Sequence, residues 1–182
     1  MLKNKRRVTG WFGLLTVAAV LATLLPGGAA QADESGAKFV AQSRAAGLSA
    51  DKAATLQADA DRLLEKLGSG ATQVAPNKIK MPGAELILPV PGQEQRPAPC
   101  PYYNFCAYSE AGFTGYQVNA EDCAITYGIP WYTYNGSWIN NQTPGRRARV
   151  NYTDGTHWYV PGAYSQQSSN MGWYRVGSVD PC

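Results

Sequence analysis

The chain has 182 residues, of which 45% are hydrophobic, and its 16 Lys and Arg residues against 13 Asp and Glu residues give a formal net charge of +3. Four of these basic residues lie in the first seven positions, so the chain after residue 32 carries 12 basic and 13 acidic residues, a net charge of −1. Such a near-neutral chain lacks the basic surface that binds nucleic acid or an anionic membrane, so neither is an expected partner.

Residues 1–32 have the pattern of an export signal. The basic residues precede an apolar run of 15 residues at positions 11–25, and Ala-Gln-Ala at residues 30–32 is typical of a cleavage site. The run is shorter than the ~20 residues that a membrane span requires. We therefore expect cleavage after this motif and a secreted, extracellular mature protein. Adjacent Arg6 and Arg7 leave a twin-arginine route open as the alternative.

Residues 33–91 are predicted to form a small, mainly helical region. Ser49 is a typical N-cap and Gly68 a typical helix stop, which together predict one helix, and a shorter helix is expected before it, at residues 37–46. The main helix has one apolar face, which we expect to cover a neighbouring apolar surface. Its members are Leu56, Ala60, Leu63, Leu64 and Leu67.

Two short β-prone runs follow this helix, at residues 72–81 and 84–90. Pro82 and Gly83 separate them, which indicates a small hairpin or an extended strap. The proline-rich residues 92–99 are predicted to be a linker. A region of this size buries little apolar surface, so we expect it to be only partly ordered unless it docks on the residues that follow.

All the cysteines lie in the last 83 residues, and an exported protein is expected to oxidise them into two disulfides. Gaps of 5, 16 and 58 residues between successive cysteines do not match the ligand spacing of a zinc site. Three pairings are possible, and the preferred one joins the first cysteine to the second and the third to the fourth. The cysteines are Cys100, Cys106, Cys123 and Cys182.

Residues 100–182 are predicted to form an all-β domain of six to eight short strands. They contain 4 Trp, 11 Tyr and 2 Phe residues, and turn signals such as Asn135-Gly136 and Asp154-Gly155 recur about every ten residues. A β-domain of this length can close a core because aromatic side chains bury large areas and disulfides add stability.

The spacing of Tyr108, Phe113 and Gly115 resembles the Greek-key signature of βγ-crystallin-like domains. Together with the preceding Cys-Pro and a second cysteine after five intervening residues, it is similar to the secreted peptidase inhibitors of the streptomycete metalloproteinase-inhibitor family. The resemblance covers residues 100–182. It implies a βγ-crystallin-like Greek-key sandwich that inhibits a peptidase.

Inhibition by such a domain requires a rigid exposed loop, which enters a protease cleft without a large loss of conformational entropy. The resemblance implies that the loop lies within residues 140–156, so an extracellular protease is the expected partner. Pro144-Gly145 and the arginines after it indicate a projecting, charged turn, although an ordinary hairpin loop remains the alternative. The candidate inhibitory residues are Arg146, Arg147, Arg149, Tyr152, Thr153 and Asp154.

The alternative function is a non-catalytic module that binds extracellular carbohydrate or cell-wall material. Four aromatic residues fall within positions 131–138. Rings exposed on one face of a strand can stack on sugar rings, whereas buried rings belong to the core. Both interpretations stay open at this level. The residues of this candidate platform are Trp131, Tyr132, Tyr134 and Trp138.

Catalytic chemistry has few candidates in this sequence. His157 is its only histidine, and no serine stands in a Gly-x-Ser-x-Gly turn. Asn140 and Asn141 match the first two positions of a βγ-crystallin-type calcium site, but the hydroxyl side chains that should follow are replaced by Pro144 and Gly145. We therefore predict a protein that is not an enzyme and has neither a cofactor nor a metal.

Overall fold

The computed structural model describes residues 27–94 and 99–182, with side chains from residue 35 onward. Most of the predicted export signal, up to residue 26, lies outside the described residues. Within these ranges no helix is long and apolar enough to cross a membrane. The helices are α1 (Gly27–Ala45), α2 (Ala50–Leu67) and a short 3-10 helix (Trp173–Arg175).

Ten antiparallel strands in the described ranges form a sheet of seven strands and a sheet of three. The larger sheet has the order β1-β2-β3-β5-β4-β6-β9 and the smaller sheet the order β10-β7-β8. Seven of the strands lie after Cys100, within the predicted range of six to eight. The strands are β1 (Thr72–Ala75), β2 (Lys78–Met81), β3 (Ala84–Ile87), β4 (Asn104–Tyr108), β5 (Gln117–Ala120), β6 (Gly136–Asn141), β7 (Arg149–Tyr152), β8 (His157–Tyr159), β9 (Ser165–Met171) and β10 (Val176–Asp180).

Helix α2 begins and ends where its local sequence predicts. The Ser49 side chain accepts a hydrogen bond from the Lys52 amide at 3.3 Å, and the Gly68 amide donates to the Leu64 carbonyl at 2.9 Å. The apolar face of the helix packs on buried residues of the larger sheet, among them Ile79. The hairpin expected at Pro82-Gly83 is present as β2 and β3, and the first β-prone run also forms β1, which adds a third antiparallel strand.

The larger sheet contains strands from both sides of the predicted linker at residues 92–99. Strand β3 pairs with β5, with Leu86 opposite Val118 and Ala84 opposite Ala120. Helix α2 also contacts the later residues directly, because the Tyr116 hydroxyl donates to Asp59 at 2.7 Å. The N-terminal region therefore docks on the residues that follow, and the two predicted regions share one sheet and one core.

A second core fills the space between the two sheets. It is rich in aromatic residues, and Trp138, which is 2% exposed, lies 6.2 Å from the ring of Phe105. Two disulfides, Cys100–Cys106 and Cys123–Cys182, are present, in the preferred pairing. The first closes a short loop onto β4 itself, and the second ties residue 182 at the end of the sequence to the segment after β5.

Candidate functional site

The loop between β4 and β5 is a folded hairpin built around three residues. The rings of Tyr108 and Phe113 meet edge to face at 5.6 Å between centroids. Gly115 has a φ of 78°, and a Cβ atom there would lie 2.2 Å from the Ser109 hydroxyl oxygen. Glycine is therefore favoured at this position, because a side chain would strain the backbone and displace the Ser109 hydroxyl.

Two residues outside the sequence motif hold this hairpin in place. The Ser137 hydroxyl donates to the Glu110 carbonyl at 2.6 Å and accepts from the Phe113 amide at 3.0 Å. The Trp173 indole N–H donates to the Tyr108 carbonyl at 2.7 Å. Neither contact was visible in the sequence, because both join residues that are more than 20 positions apart.

The candidate inhibitory segment, residues 140–156, runs from the end of β6 through the loop before β7, and then along β7 into the β7–β8 hairpin. The tip of this hairpin, at residues 153–157, is exposed. The Tyr152 amide donates to the Thr156 carbonyl at 2.8 Å, which closes the turn. Inside the turn, the Asp154 carboxylate accepts from the Thr156 amide at 2.9 Å and from its hydroxyl at 2.6 Å. These bonds lower the pKa of Asp154 below its usual value. The tip is thus fixed by its own hydrogen bonds.

The 3-10 helix supports the same tip from one side. The Thr153 amide donates to the Arg175 carbonyl at 2.9 Å. The Arg175 guanidinium lies 4.4 Å from the centroid of the Tyr152 ring, a cation–π contact. The tip is therefore held by the 3-10 helix as well as by its own hydrogen bonds.

The three candidate arginines contact the body of the domain. Arg147 donates to the Val160 carbonyl at 2.8 Å, and Arg146 donates to the sulfur of Cys123 at 3.1 Å. Arg149 forms an ion pair with Asp180 at 2.7 Å. Of the six candidate inhibitory residues, Thr153 and Asp154 are exposed at the tip, and Arg146 and Arg147 are exposed in the loop before β7.

Asp180 connects strand β10 with β7 and with the segment before β6. Its carboxylate accepts from Arg149 at 2.8 Å, from Asn151 at 3.1 Å and from the Thr126 hydroxyl at 2.5 Å. Partial burial opposes the charged form of this carboxyl, but these hydrogen bonds and the charge of Arg149 hold its pKa below its usual value. Arg149 thus pairs with Asp180 and helps to join β7 to β10.

The four aromatic residues of the candidate platform separate into two groups. Trp138 is buried in the second core, and Trp131 is half-buried between Tyr116 and Trp173. Tyr132 and Tyr134 are 67% and 69% exposed. The two tryptophans therefore belong to the interior, and the two tyrosines are the exposed part of the platform.

A residue from elsewhere in the chain completes this exposed surface. The ring of Tyr174 stacks on Tyr134 at 4.6 Å between centroids and lies 5.9 Å from Tyr132. We call Tyr132, Tyr134 and Tyr174 the first tyrosine cluster. The sequence could not indicate Tyr174, because 40 positions separate it from Tyr134.

A cavity of about 350 Å³ lies beside the backbone that carries this cluster. Thr133, between the two exposed tyrosines, lines it, and its hydroxyl oxygen is buried without a hydrogen-bond partner among the described residues. Asn135 lines it as well and accepts a hydrogen bond from the Asn170 amide at 2.7 Å. Its other lining residues are Ser109, Glu110 and Ala111.

The titratable side chains of the described residues form no group of three or more that could hold a metal ion. His157 is exposed, and its ring contacts Tyr159 edge to face at 5.4 Å. The hairpin tip and the first tyrosine cluster are the surfaces that correspond to the two sequence predictions. Comparison of the chain with family models, with curated proteins and with solved structures found no match.

Proposed function

We propose that the protein is a secreted inhibitor of an extracellular peptidase and that the tip of the β7–β8 hairpin enters the active-site cleft of the enzyme. The observation that carries this proposal is the rigidity of the exposed tip, whose turn is closed by the Tyr152 amide and by the Asp154 side chain. A segment that is ordered before binding loses little conformational entropy in the complex. The proposed activity uses no catalytic group and no cofactor.

The proposal includes a βγ-crystallin-like Greek key as the scaffold of the inhibitor. The folded hairpin at Tyr108, Phe113 and Gly115 supports it, as does the way Ser137 bonds both sides of that hairpin. The extracellular location is part of the same proposal. Two disulfides are compatible with it, since disulfides persist in oxidising environments.

The test is an inhibition assay with a thermolysin-type metallopeptidase and with serine peptidases. Inhibition at micromolar concentration is expected, and it should weaken at least tenfold when Thr153→Ala and Asp154→Ala are combined, because the tip loses its contact side chains and two internal hydrogen bonds. Glu65→Ala, at an exposed position of α2 outside the candidate segment, serves as the control and should inhibit normally. An inactive parent protein would refute the proposal.

A second candidate function is binding of polysaccharide through the first tyrosine cluster. The specific observation is that three rings are exposed together and contact one another, two of them by two thirds of their surface. Tyrosine rings offer an apolar face to the C–H side of a sugar and a hydroxyl to its polar edge. The buried Thr133 hydroxyl in the adjacent cavity offers a further hydrogen bond to a ligand that reaches it.

Retention on insoluble cellulose, chitin and β-1,3-glucan tests this second function. We expect the protein to sediment with at least one of these materials, and combined Tyr132→Ser and Tyr134→Ser to reduce retention while the far-UV circular dichroism spectrum stays unchanged. Tyr159→Ser is a matched control, because Tyr159 is an exposed tyrosine outside the cluster. Equal retention of the parent and the double variant would contradict this function.

A further inference from the structure

A second group of exposed tyrosines lies apart from the first. Tyr102, Tyr103 and Tyr164 are 45%, 61% and 61% exposed. The ring centroid of Tyr102 lies 4.0 Å from that of Tyr103 and 6.1 Å from that of Tyr164. The Tyr164 hydroxyl donates to the Tyr102 hydroxyl at 3.1 Å. We call these residues the second tyrosine cluster.

The two clusters lie at opposite ends of three neighbouring strands, β4, β6 and β9. The Tyr103 amide donates to the carbonyl of Asn141, the last residue of β6, at 2.9 Å. The first cluster lies at the other end, where the Tyr174 amide donates to the Thr133 carbonyl at 3.0 Å, just before β6 begins. Strand β6 has six residues, so the clusters are separated by roughly 20 Å at about 3.3 Å per residue.

The backbone holds Tyr103 in a conformation that tyrosine rarely adopts. Its φ is 71°, at the third position of a turn that the Asn104 amide closes on the Pro101 carbonyl at 3.3 Å. Glycine adopts this conformation at low cost, whereas a bulky side chain raises the energy of the folded state. The exposed ring offsets little of that cost through burial. Strained positions of this kind concentrate at functional sites, so Tyr103 points to a ligand.

The surroundings of the tyrosines indicate an uncharged ligand. The segments 99–105, 130–136 and 161–167, which carry five of the six tyrosines, contain no Asp, Glu, Lys or Arg. Arg175, beside the sixth, directs its guanidinium to the ring of Tyr152. Charged side chains near the clusters in space carry both signs: Glu110 lines the cavity beside the first cluster, and Lys80, Glu85 and Glu121 line a pocket with Pro101 beside the second. Anionic polymers and lipids require a group of cationic contacts, which this arrangement does not provide. A neutral sugar chain has both the apolar C–H faces and the hydroxyls that clustered tyrosines can bind.

We propose that the second tyrosine cluster is a separate site for neutral polysaccharide and that one protein molecule therefore bridges two glycan chains. The inference rests on the second candidate function, since both sites use the same stacking chemistry. Because the sites lie at opposite ends of the strands, two chains can be bound at once. On densely packed wall material, two weak sites in one molecule give a retention that neither gives alone.

Bridging is tested with the full protein and beads coated with whichever of cellulose, chitin or β-1,3-glucan retains it. The parent should agglutinate the beads. Tyr102→Ser with Tyr164→Ser, and separately Tyr132→Ser with Tyr134→Ser, should each abolish agglutination and lower retention at least tenfold, in line with the loss of one of two linked sites. All four substitutions together should abolish retention. Tyr159→Ser should change neither property.

The outcomes separate this inference from the function on which it rests. If the parent is retained and the Tyr102 and Tyr164 variant still agglutinates the beads, polysaccharide binding stands and the bridging inference is overturned. Absence of retention on every material refutes both. Dimerisation of the parent without glycan, lost in that variant, would mean that the cluster binds a second copy of the chain, which also overturns the inference. If the second tyrosine cluster binds a polyproline peptide and no glycan, the inference is overturned as well.

Tyr103→Gly gives an independent test, because it removes the ring and the backbone strain together. We expect a melting temperature equal to or above that of the parent, together with loss of agglutination. Retention through the first cluster should remain. A lower melting temperature with normal agglutination would show that Tyr103 has a structural role only, and would overturn the assignment of this residue to the site.

Discussion

The two halves of the seven-stranded sheet are covered in different ways. Helix α2 covers β2, β3 and β5 with aliphatic side chains such as Leu56 and Leu63, which contact Ile79 and Leu86. The three-stranded sheet covers β4 and β6, and the core there is built on Phe105 and large aromatic residues such as Trp138 and Trp173. Both disulfides lie in this second half.

The difference follows from how many inward side chains each element supplies. The 18 residues of α2 bring a continuous apolar stripe to the sheet from one local segment. Strands β7, β8 and β10 have four, three and five residues, so each directs only one or two side chains inward. Short strands therefore need large rings to fill the space between the sheets, and disulfides to fix their ends.

The largest expected effect tests whether the two halves unfold together. Trp138→Ala should lower the free energy of unfolding by about 3–5 kcal/mol and Leu63→Ala by about 2–5 kcal/mol, because both leave buried cavities. Every described tryptophan lies after Cys100, so fluorescence monitors the aromatic half, while far-UV circular dichroism monitors α2. The shared β3–β5 pairing predicts that each variant shifts both signals equally. Separate transitions would contradict a shared core.

The disulfides should differ in their effect within the aromatic half. Cys123 and Cys182 close a loop of 59 residues, and replacing both by serine should cost about 4 kcal/mol on the chain-entropy estimate. The Cys100 and Cys106 pair closes a loop of 6, so its replacement should cost about 2 kcal/mol. Urea denaturation of the two double variants measures both values. The reverse order would show that the short disulfide has a larger structural role than its loop length implies.

The contact between Tyr116 and Asp59 links the two halves and depends on pH. Burial, followed by the hydrogen bond to Asp59, raises the pKa of Tyr116 to about 12. The protonated Tyr116 hydroxyl therefore makes its full contribution to the free energy of unfolding below pH 10.0, the ordinary pKa of tyrosine. This contribution is lost as the pH rises through about 12. Tyr116→Phe keeps the ring against Trp131 and should cost about 1 kcal/mol at neutral pH.

Unfolding measured from neutral to alkaline pH checks this link. The parent should lose stability in that alkaline range, and the difference between the parent and the Phe variant should disappear there. If the parent and the Tyr116→Phe variant lose equal stability at alkaline pH, the group that titrates is not Tyr116.

The smallest expected effect concerns the helical half alone. Ser49→Ala removes the N-cap of α2 and should cost about 1 kcal/mol. Ser69→Ala, at an exposed position just beyond the helix, is the matched control and should be neutral. Thermal unfolding followed by far-UV circular dichroism measures both. A neutral Ser49 variant would show that packing on the sheet, without the cap, determines where α2 begins.

Several features were predictable because their causes are local. Ser49 and Gly68 set the two ends of α2 through hydrogen bonds to residues no more than four positions away. The strands predicted in residues 100–182 follow from closely spaced turn signals. The candidate surfaces were predictable only in part. Tyr132 and Trp138 have similar sequence surroundings, yet one ring is exposed and the other is buried, because the second sheet covers only Trp138.

The sequence by itself determined the capped helix, the strand-rich character of the second region and the two disulfides, since each depends on neighbouring residues or on a small set of cysteines. Only the tertiary structure decided that β3 pairs with β5, that Tyr174 joins Tyr132 and Tyr134, and that a second tyrosine cluster lies at the far end of β6. These contacts join residues far apart in the chain. They depend on how the sheet brings distant strands together, and no local pattern encodes that pairing.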